Sequence, residues 1–316
     1  MPVGGILIIT VTLNTAIDRT LEIGNFQVGK VFQARLSRKI PSGKGINVAR
    51  VVEILGHRVR ALGFVGELEV GFYHESLQTD RIALDLIPVA GHTRMNTTII
   101  DPVLKTETHI REPGFEITEE HLNHLERKLA KQISKEDIVV FSGSIPAGAP
   151  PCVYKDLILM CHEKRAKTLL DSSGEALRYG VEASPYMVKP NLQELESILN
   201  EKMNSDADLA SGICQINRSG VRWVVVSMGA EGTMAGSSEG VWKAWVNLDH
   251  VVNTVGSGDA LLAGLAVSLA EGRGLLEALQ LGVACGAANA MVSGAGLCRR
   301  SDIEALHQRL KIRKIR

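Results

Sequence analysis

Residues 253–272, NTVGSGDALLAGLAVSLAEG, combine a Gly-Ser-Gly turn opening an apolar helix with an acid, Asp259, in the helix's first turn. Backbone N–H groups at a helix start have no intrahelical partner, and glycines let a ligand come close. Gly256, Ser257 and Gly258 can therefore hold an anion. Ser257 or Asp259 could equally serve as a cap. A carboxylate beside a bound phosphate is repulsive unless it takes up a proton or faces a metal. The pairing thus points to phosphoryl transfer, with Asp259 orienting and deprotonating a hydroxyl nucleophile.

A second glycine-rich segment, PSGKGINVAR (41–50), also enters a helix and carries Lys44 between Gly43 and Gly45. Lys44 and nearby amides could hold an anionic group of a substrate; a hinge with a solvated lysine is the alternative. In KPNLQELE (189–196), Asn191 and Glu194 stand three apart on one helix face. Such a pair could hold Mg²⁺ through water, and the same spacing describes an N-cap with its capping-box partner. SMGAEG (227–232) could turn two strands past a nucleotide or be an ordinary glycine hairpin. GNFQVGKV (24–31) matches GxxxxGK, but Val31 stands where a metal-binding Ser or Thr is needed and the context is β-patterned, so the match is read as chance. His121 and His124 have no third ligand in view and read as a solvated helix face.

These segments are far apart in the chain and need a scaffold to bring them together. DIVVFSG (137–143), KTLLD (167–171), YMVKP (186–190) and VRWVVVSMG (221–229) are short apolar runs of the kind buried on both faces of a parallel sheet. Helical periodicity separates them: INVARVVEIL (46–55) before Gly56, PPCVYKDLILMCHEK, and NLQELESILN with Asn191 at the N-cap position. The alternation predicts an α/β fold with a helix-covered parallel sheet. Residues 9–40 and about 92–112 alternate polar and apolar instead, predicting a small β-lid with one wet face. The part from Ser257 onward reads as mostly helical, and the terminal KIRKIR as a frayed end.

Composition limits the partners. The chain's 316 residues carry 35 Lys+Arg against 35 Asp+Glu, so no overall field draws it to nucleic acid or anionic lipid, and any anion must meet a local site. Five cysteines without a CxxC pair argue against a disulfide framework or a zinc site and read as cytosolic thiols. The opening MPVGGILIIT has no basic n-region and does not read as a signal peptide. The uncharged stretch from Ala278 to Cys298 contains Gln280, Asn289 and Ser293, which suits a small-residue core helix rather than a membrane span.

In order along the chain, TLNTAIDRT, GKGINVAR, TRMNTTI, EPG (112–114), SGSIPAG, DSSGEAL, KPNLQELE, VVVSMGAEG and NTVGSGDALLAG resemble the phosphofructokinase-B branch of the ribokinase-like carbohydrate kinases. The resemblance covers nearly the whole chain. It implies one kinase domain over 1–316: a three-layer α/β/α sandwich with a mostly parallel central sheet and a β-lid that often forms a dimer interface. Asp259 would be the base, and Gly256, Ser257 and Gly258 the anion hole for the γ-phosphoryl of ATP. Asn191 and Glu194 match the family's NxxE element, tied to Mg²⁺–ATP; Ser227, Gly229 and Gly232 match its nucleotide turn. Lys189 would lie near the phosphate path, and Asn289 in the region flanking the adenine. Asp18, Gly43 and Asn47 would hold sugar hydroxyls, and Lys44 and Arg94 the phosphate already on the sugar.

The segments look most like 1-phosphofructokinase and tagatose-6-phosphate kinase. Ser42 stands where glycine is common and Thr15 where proline is usual, both near the sugar site, which leaves the acceptor open. The implied activity is a cytoplasmic, homodimeric, ATP- and Mg²⁺-dependent kinase making fructose 1,6-bisphosphate from fructose 1-phosphate. Tagatose 6-phosphate and fructose 6-phosphate are the alternative acceptors. A nucleoside has no phosphate for Lys44 and Arg94 to meet, and a silent sensor would gain nothing from an acid beside bound phosphate. Neither nucleic acid nor membrane is an expected partner.

Overall fold

The computed structural model describes residues 6–79 and 81–316, so the first half of the opening segment lies outside the described residues. In chain order the strands are β1 (Ile8–Thr12), β2 (Ala16–Glu22), β3 (Leu36–Ser42), β4 (Val59–Gly66), β5 (Ile82–Val89), β6 (Arg94–Asp101), β7 (Thr106–Arg111), β8 (Ile138–Ser142), β9 (Lys167–Asp171), β10 (Met187–Val188), β11 (Trp223–Ser227), β12 (Thr233–Ser237), β13 (Gly240–Trp245) and β14 (Lys311–Lys314). The helices are α1 (Lys44–Ile54), α2 (Val70–Leu77), α3 (Glu119–Gln132), α4 (Val153–Glu163), α5 (Gly174–Glu182), α6 (Leu192–Leu199), α7 (Asp206–Arg218), α8 (Ser257–Ala270), α9 (Leu275–Ala290) and α10 (Arg300–Arg309).

Ten strands form one sheet in the order β14-β13-β12-β11-β10-β9-β8-β1-β4-β5, parallel from β11 to β5 and antiparallel at the β12–β14 end. Successive side chains go to opposite faces. Ile138 and Val140 join one core with α1, α8 and α9, while Val139 and Phe141 join another with α3, α4 and α7. Burial on both faces is why these strands read as unbroken apolar runs. On the first face α8 and α9 pack so closely that a Cβ on Gly264 would lie 2.7 Å from the Gly282 Cα. The Ala278–Cys298 stretch supplies most of α9, and no helix among the described residues is long and apolar enough to cross a membrane.

A separate four-stranded sheet, in the order β3-β2-β6-β7, is built from the two alternating regions. The region expected to begin at residue 9 divides, because Ile8–Thr12 is buried throughout and lies inside the large sheet as β1, between β8 and β4. Alternation with a wet face starts only at β2. The chain leaves the carboxyl end of β1, makes the β2–β3 hairpin, and enters α1 directly, so the small sheet is tethered over the end of that strand. The KIRKIR tail is also ordered: Lys311–Lys314 pairs with β13 as the last strand of the large sheet, and its basic side chains suit an edge that must resist further pairing.

From β1 the chain adds β4 and β5 on one side, then returns to place β8 on the other. Strand order reverses there, and the carboxyl ends of β1, β8, β9 and β10 open into a crevice where α/β sheets bind ligands.

Candidate active site

A cavity of about 500 Å³ occupies that crevice, walled by strand ends, the starts of α1, α6 and α8, and the inner face of the small sheet. At the α8 start, Gly256 takes a left-handed conformation (φ 81°), and a Cβ there would meet Ala295 at 2.4 Å. No side chain caps this helix; the Ser257 N–H donates to the Thr254 carbonyl at 3.2 Å, while the Gly258 and Asp259 N–H groups have no partner among the described residues, as an anion site would require. The α1 start is built alike, with Gly43 at φ 123° and no capping side chain. The Ser257 hydroxyl oxygen is buried without a hydrogen-bond partner among the described residues, so it does not act as the cap.

Asp259 lies in the first turn of α8, 5% exposed, and its Oδ2 accepts a hydrogen bond from Asn47 Nδ2 of α1 at 2.8 Å. Burial pushes its carboxyl up to about 6; Lys44 opposes the rise, Asp171 adds to it, and the Asn47 bond and Lys189 act to lower it. A carboxylate poised near that value changes protonation close to neutrality, which suits a general base.

Asp171, at the end of β9, is 1% exposed in its side chain and lies between two ammonium groups: Lys44 Nζ at 3.0 Å and Lys189 Nζ at 3.2 Å. Burial alone would raise its carboxyl, but Lys189 and Lys44 overcome that and hold it below the ordinary range. Lys44 in turn is raised by Asp171 and Asp259 against the opposing effect of burial. Asp171 was absent from the sequence-predicted residues; its signal was an acid ending an otherwise apolar strand, KTLLD.

The inner face of the small sheet supplies the other wall. Asp18 accepts hydrogen bonds from Ser42 Oγ (2.7 Å) and Asn96 Nδ2 (3.0 Å). The Arg94 guanidinium donates to the Thr15 and Asn14 carbonyls at 3.3 and 3.0 Å, and still lines the cavity. Asn96 and Arg111, neither of them predicted, line it as well.

On the remaining side Lys189, Asn191, Glu194 and Ser227 face the same cavity. Asn191 and Glu194 form the capping box: Asn191 Oδ1 accepts from the Glu194 N–H and Glu194 Oε2 from the Asn191 N–H, each at 2.8 Å. The box engages one carboxylate oxygen of Glu194, while the other has no partner among the described residues. Among the described residues no cluster of three or more His, Cys, Asp or Glu could enclose a metal. A single carboxylate oxygen turned to the cavity is the kind of donor magnesium combines with substrate phosphates and water. His121, by contrast, is occupied in the α3 capping box, where its Nδ1 accepts from the Thr118 N–H at 3.0 Å.

Four predicted residues, Ser257, Gly229, Gly232 and Asn289, do not line the main cavity. Gly229 borders a neighbouring one with Asn191 and Ser227. Gly232 serves the β11–β12 turn, where a Cβ would fall 2.3 Å from the Ala244 carbonyl oxygen. Asn289 is fully buried; it donates to the Val255 carbonyl (2.9 Å) and accepts from the Gly296 N–H (2.8 Å). Its amide is consumed in bracing two segments at the cavity's edge, and its side chain does not line the cavity.

Residues 5–302 match the model of the pfkB family carbohydrate kinases. The chain belongs to this family. Its relatives include the tagatose-6-phosphate kinase of Staphylococcus epidermidis, 31% identical over 97% of this chain and 99% of that protein. The 1-phosphofructokinase of Haemophilus influenzae is 31% identical over 98% of each. Among solved structures, phosphofructokinase-2 from Escherichia coli in complex with substrates and products has a TM-score of 0.91 at 26% identity, covering 96% of this chain and 99% of that one. The pfkB chain described above is thus a sugar-phosphate kinase, transferring phosphate to a hydroxyl of a hexose phosphate, on a ribokinase-like fold.

Proposed function

We propose that the enzyme transfers the γ-phosphoryl of ATP to fructose 1-phosphate, forming fructose 1,6-bisphosphate, with Asp259 as the base. The observation that carries this reading is a buried carboxylate at an uncapped glycine helix start, held by Asn47 and faced by two lysines. The Gly256–Ser257–Gly258 turn would receive the transferred phosphoryl, its Gly256 and Gly258 N–H groups having no partner among the described residues. Asp259 aligns the acceptor hydroxyl and removes its proton; Lys44 and Lys189 offset charge as it develops. Asp18, steadied by Ser42 and Asn96, holds acceptor hydroxyls together with Gly43 and Asn47, and Arg94 meets the acceptor's phosphate.

Glu194 and Asn191 would hold Mg²⁺ with the nucleotide, beside Ser227 and Gly229; the metal's part is to neutralise and orient the phosphates. The small sheet acts as a lid that limits water access to the γ-phosphoryl. Exposed Val103, Leu104 and Ile110 on this sheet and its hairpin turn support pairing of two copies through the lid. A tetrameric form of phosphofructokinase-2 supports self-association in general terms. A cytoplasmic location accords with free cysteines and metabolic relatives.

Tagatose 6-phosphate is the second reading, since a tagatose-6-phosphate kinase matches as well as a 1-phosphofructokinase does. Purified protein with ATP and Mg²⁺ should release ADP with the highest kcat/KM on fructose 1-phosphate when compared with fructose 6-phosphate, tagatose 6-phosphate and a nucleoside. A preference for tagatose 6-phosphate would select the second reading. No turnover with any sugar phosphate would overturn both.

A further inference from the structure

The cation expected to share the acceptor's phosphate with Arg94 was Lys44, but Lys44 is engaged by Asp171. Strand register supplies a different partner. Asp18 pairs with Asn96 across β2 and β6, and Asn96 with Arg111 across β6 and β7. These three residues therefore lie in one row on one face of the small sheet. Arg94, two residues before Asn96, lies on the same face and diagonally across from Arg111. All four line the cavity.

Arg111 makes no ion pair among the described residues. Its sequence neighbour Glu112 accepts from the Met95 N–H at 3.1 Å, and Glu107, on the same strand, lies 3.7 Å from His109. The acid nearest the two arginines within the row is Asp18, whose oxygens are taken by Ser42 and Asn96. Two guanidinium groups thus stand close without an anion between them, and the repulsion is felt: burial first, then Arg111, lowers the proton affinity of Arg94. Two strand spacings, about 10 Å, separate Asp18 from Arg111, room for a hexose between a hydroxyl-binding carboxylate and a phosphate.

We propose that Arg111 and Arg94 together bind the phosphate already on the acceptor, making Arg111 a specificity residue for a phosphorylated sugar. This deepens the sugar-phosphate reading above and rests on it. Paired guanidinium groups suit a dianionic phosphate monoester better than one lysine, because their planar donors can engage two oxygens each.

The test is steady-state kinetics of Arg111→Ala and Arg111→Lys, using whichever of fructose 1-phosphate, fructose 6-phosphate and tagatose 6-phosphate the wild type phosphorylates. Arg111→Ala should raise the acceptor KM about tenfold, the loss expected for one charge-assisted contact. Its kcat and its KM for ATP should stay within twofold of wild type, and inorganic phosphate should weaken as a competitor of the acceptor by a similar factor. Arg111→Lys should recover part of the loss. An acceptor KM for Arg111→Ala within twofold of wild type overturns the proposal while leaving the kinase reading intact. If the wild type turns over no sugar phosphate, the kinase reading fails first. Calorimetric titration with inorganic phosphate then decides separately: binding lost in Arg111→Ala supports the arginine pair, and unchanged binding rejects it.

Discussion

Two pairs of cations line one cavity, and they are treated differently. Lys44 and Lys189 share the buried Asp171, whereas Arg94 and Arg111 share no acid. The floor lies deep among strand ends, where two uncompensated charges would be costly, so a carboxylate between them keeps the site stable before any ligand arrives. The lid wall is nearer solvent, and hydration lets its arginines wait unpaired. The floor is suited to charge that appears and leaves during transfer, and the lid to an anion that remains on the acceptor throughout.

The sharpest way to break this contrast is at Asp171. Asp171→Asn leaves the buried Lys189 beside the partly exposed Lys44 with no counter-ion between them and should destabilise the fold by about 3 kcal/mol, measured as a lowered urea midpoint. Millimolar phosphate or sulfate should restore part of the loss by taking the carboxylate's place. An unchanged midpoint would mean the floor does not need its anion. Arg94→Ala acts on the other pair: the acceptor KM should rise by at least about tenfold while the KM for ATP is little changed. Equal increases in both would show that the two pairs are not separate. The smallest effect belongs to Ser42→Ala, which removes one donor at 2.7 Å from Asp18 and should raise the acceptor KM by about fivefold.

Much of the floor was legible in the sequence because its parts are local motifs. A glycine turn, a helix start and an acid within four residues name both the anion site and the base at Asp259. The capping box at Asn191 was legible for the same reason. Asp171 was harder to see, since a single acid at the end of a buried strand becomes significant only when the sheet brings Lys44 and Lys189 beside it. The lid wall was less legible still. Arg111 reaches the cavity through the β6–β7 hairpin register and through that of β2 with β6, a pairing between segments about 80 residues apart that no local pattern encodes. The division of residues 9–40 at β1 has the same cause: two-sided burial is set by neighbours that lie far along the chain.

Asp259 is the group on which phosphoryl transfer depends most in the proposed reaction. Its carboxyl, raised to about 6, should give a wild-type kcat/KM that rises with pH through that value as the base loses its proton. The stability sign is the reverse. Because the folded state holds this proton more tightly than the unfolded chain, the stability linked to the group is full below about pH 4 and is lost as pH rises through about 6. Asparagine imitates the protonated form. The decisive measurement is therefore kcat and thermal midpoint of Asp259→Asn together at pH 7.5. The prediction is a loss of about a thousandfold in kcat with a thermal midpoint no lower than wild type. A kcat within tenfold of wild type in that well-folded variant would contradict Asp259 as the base.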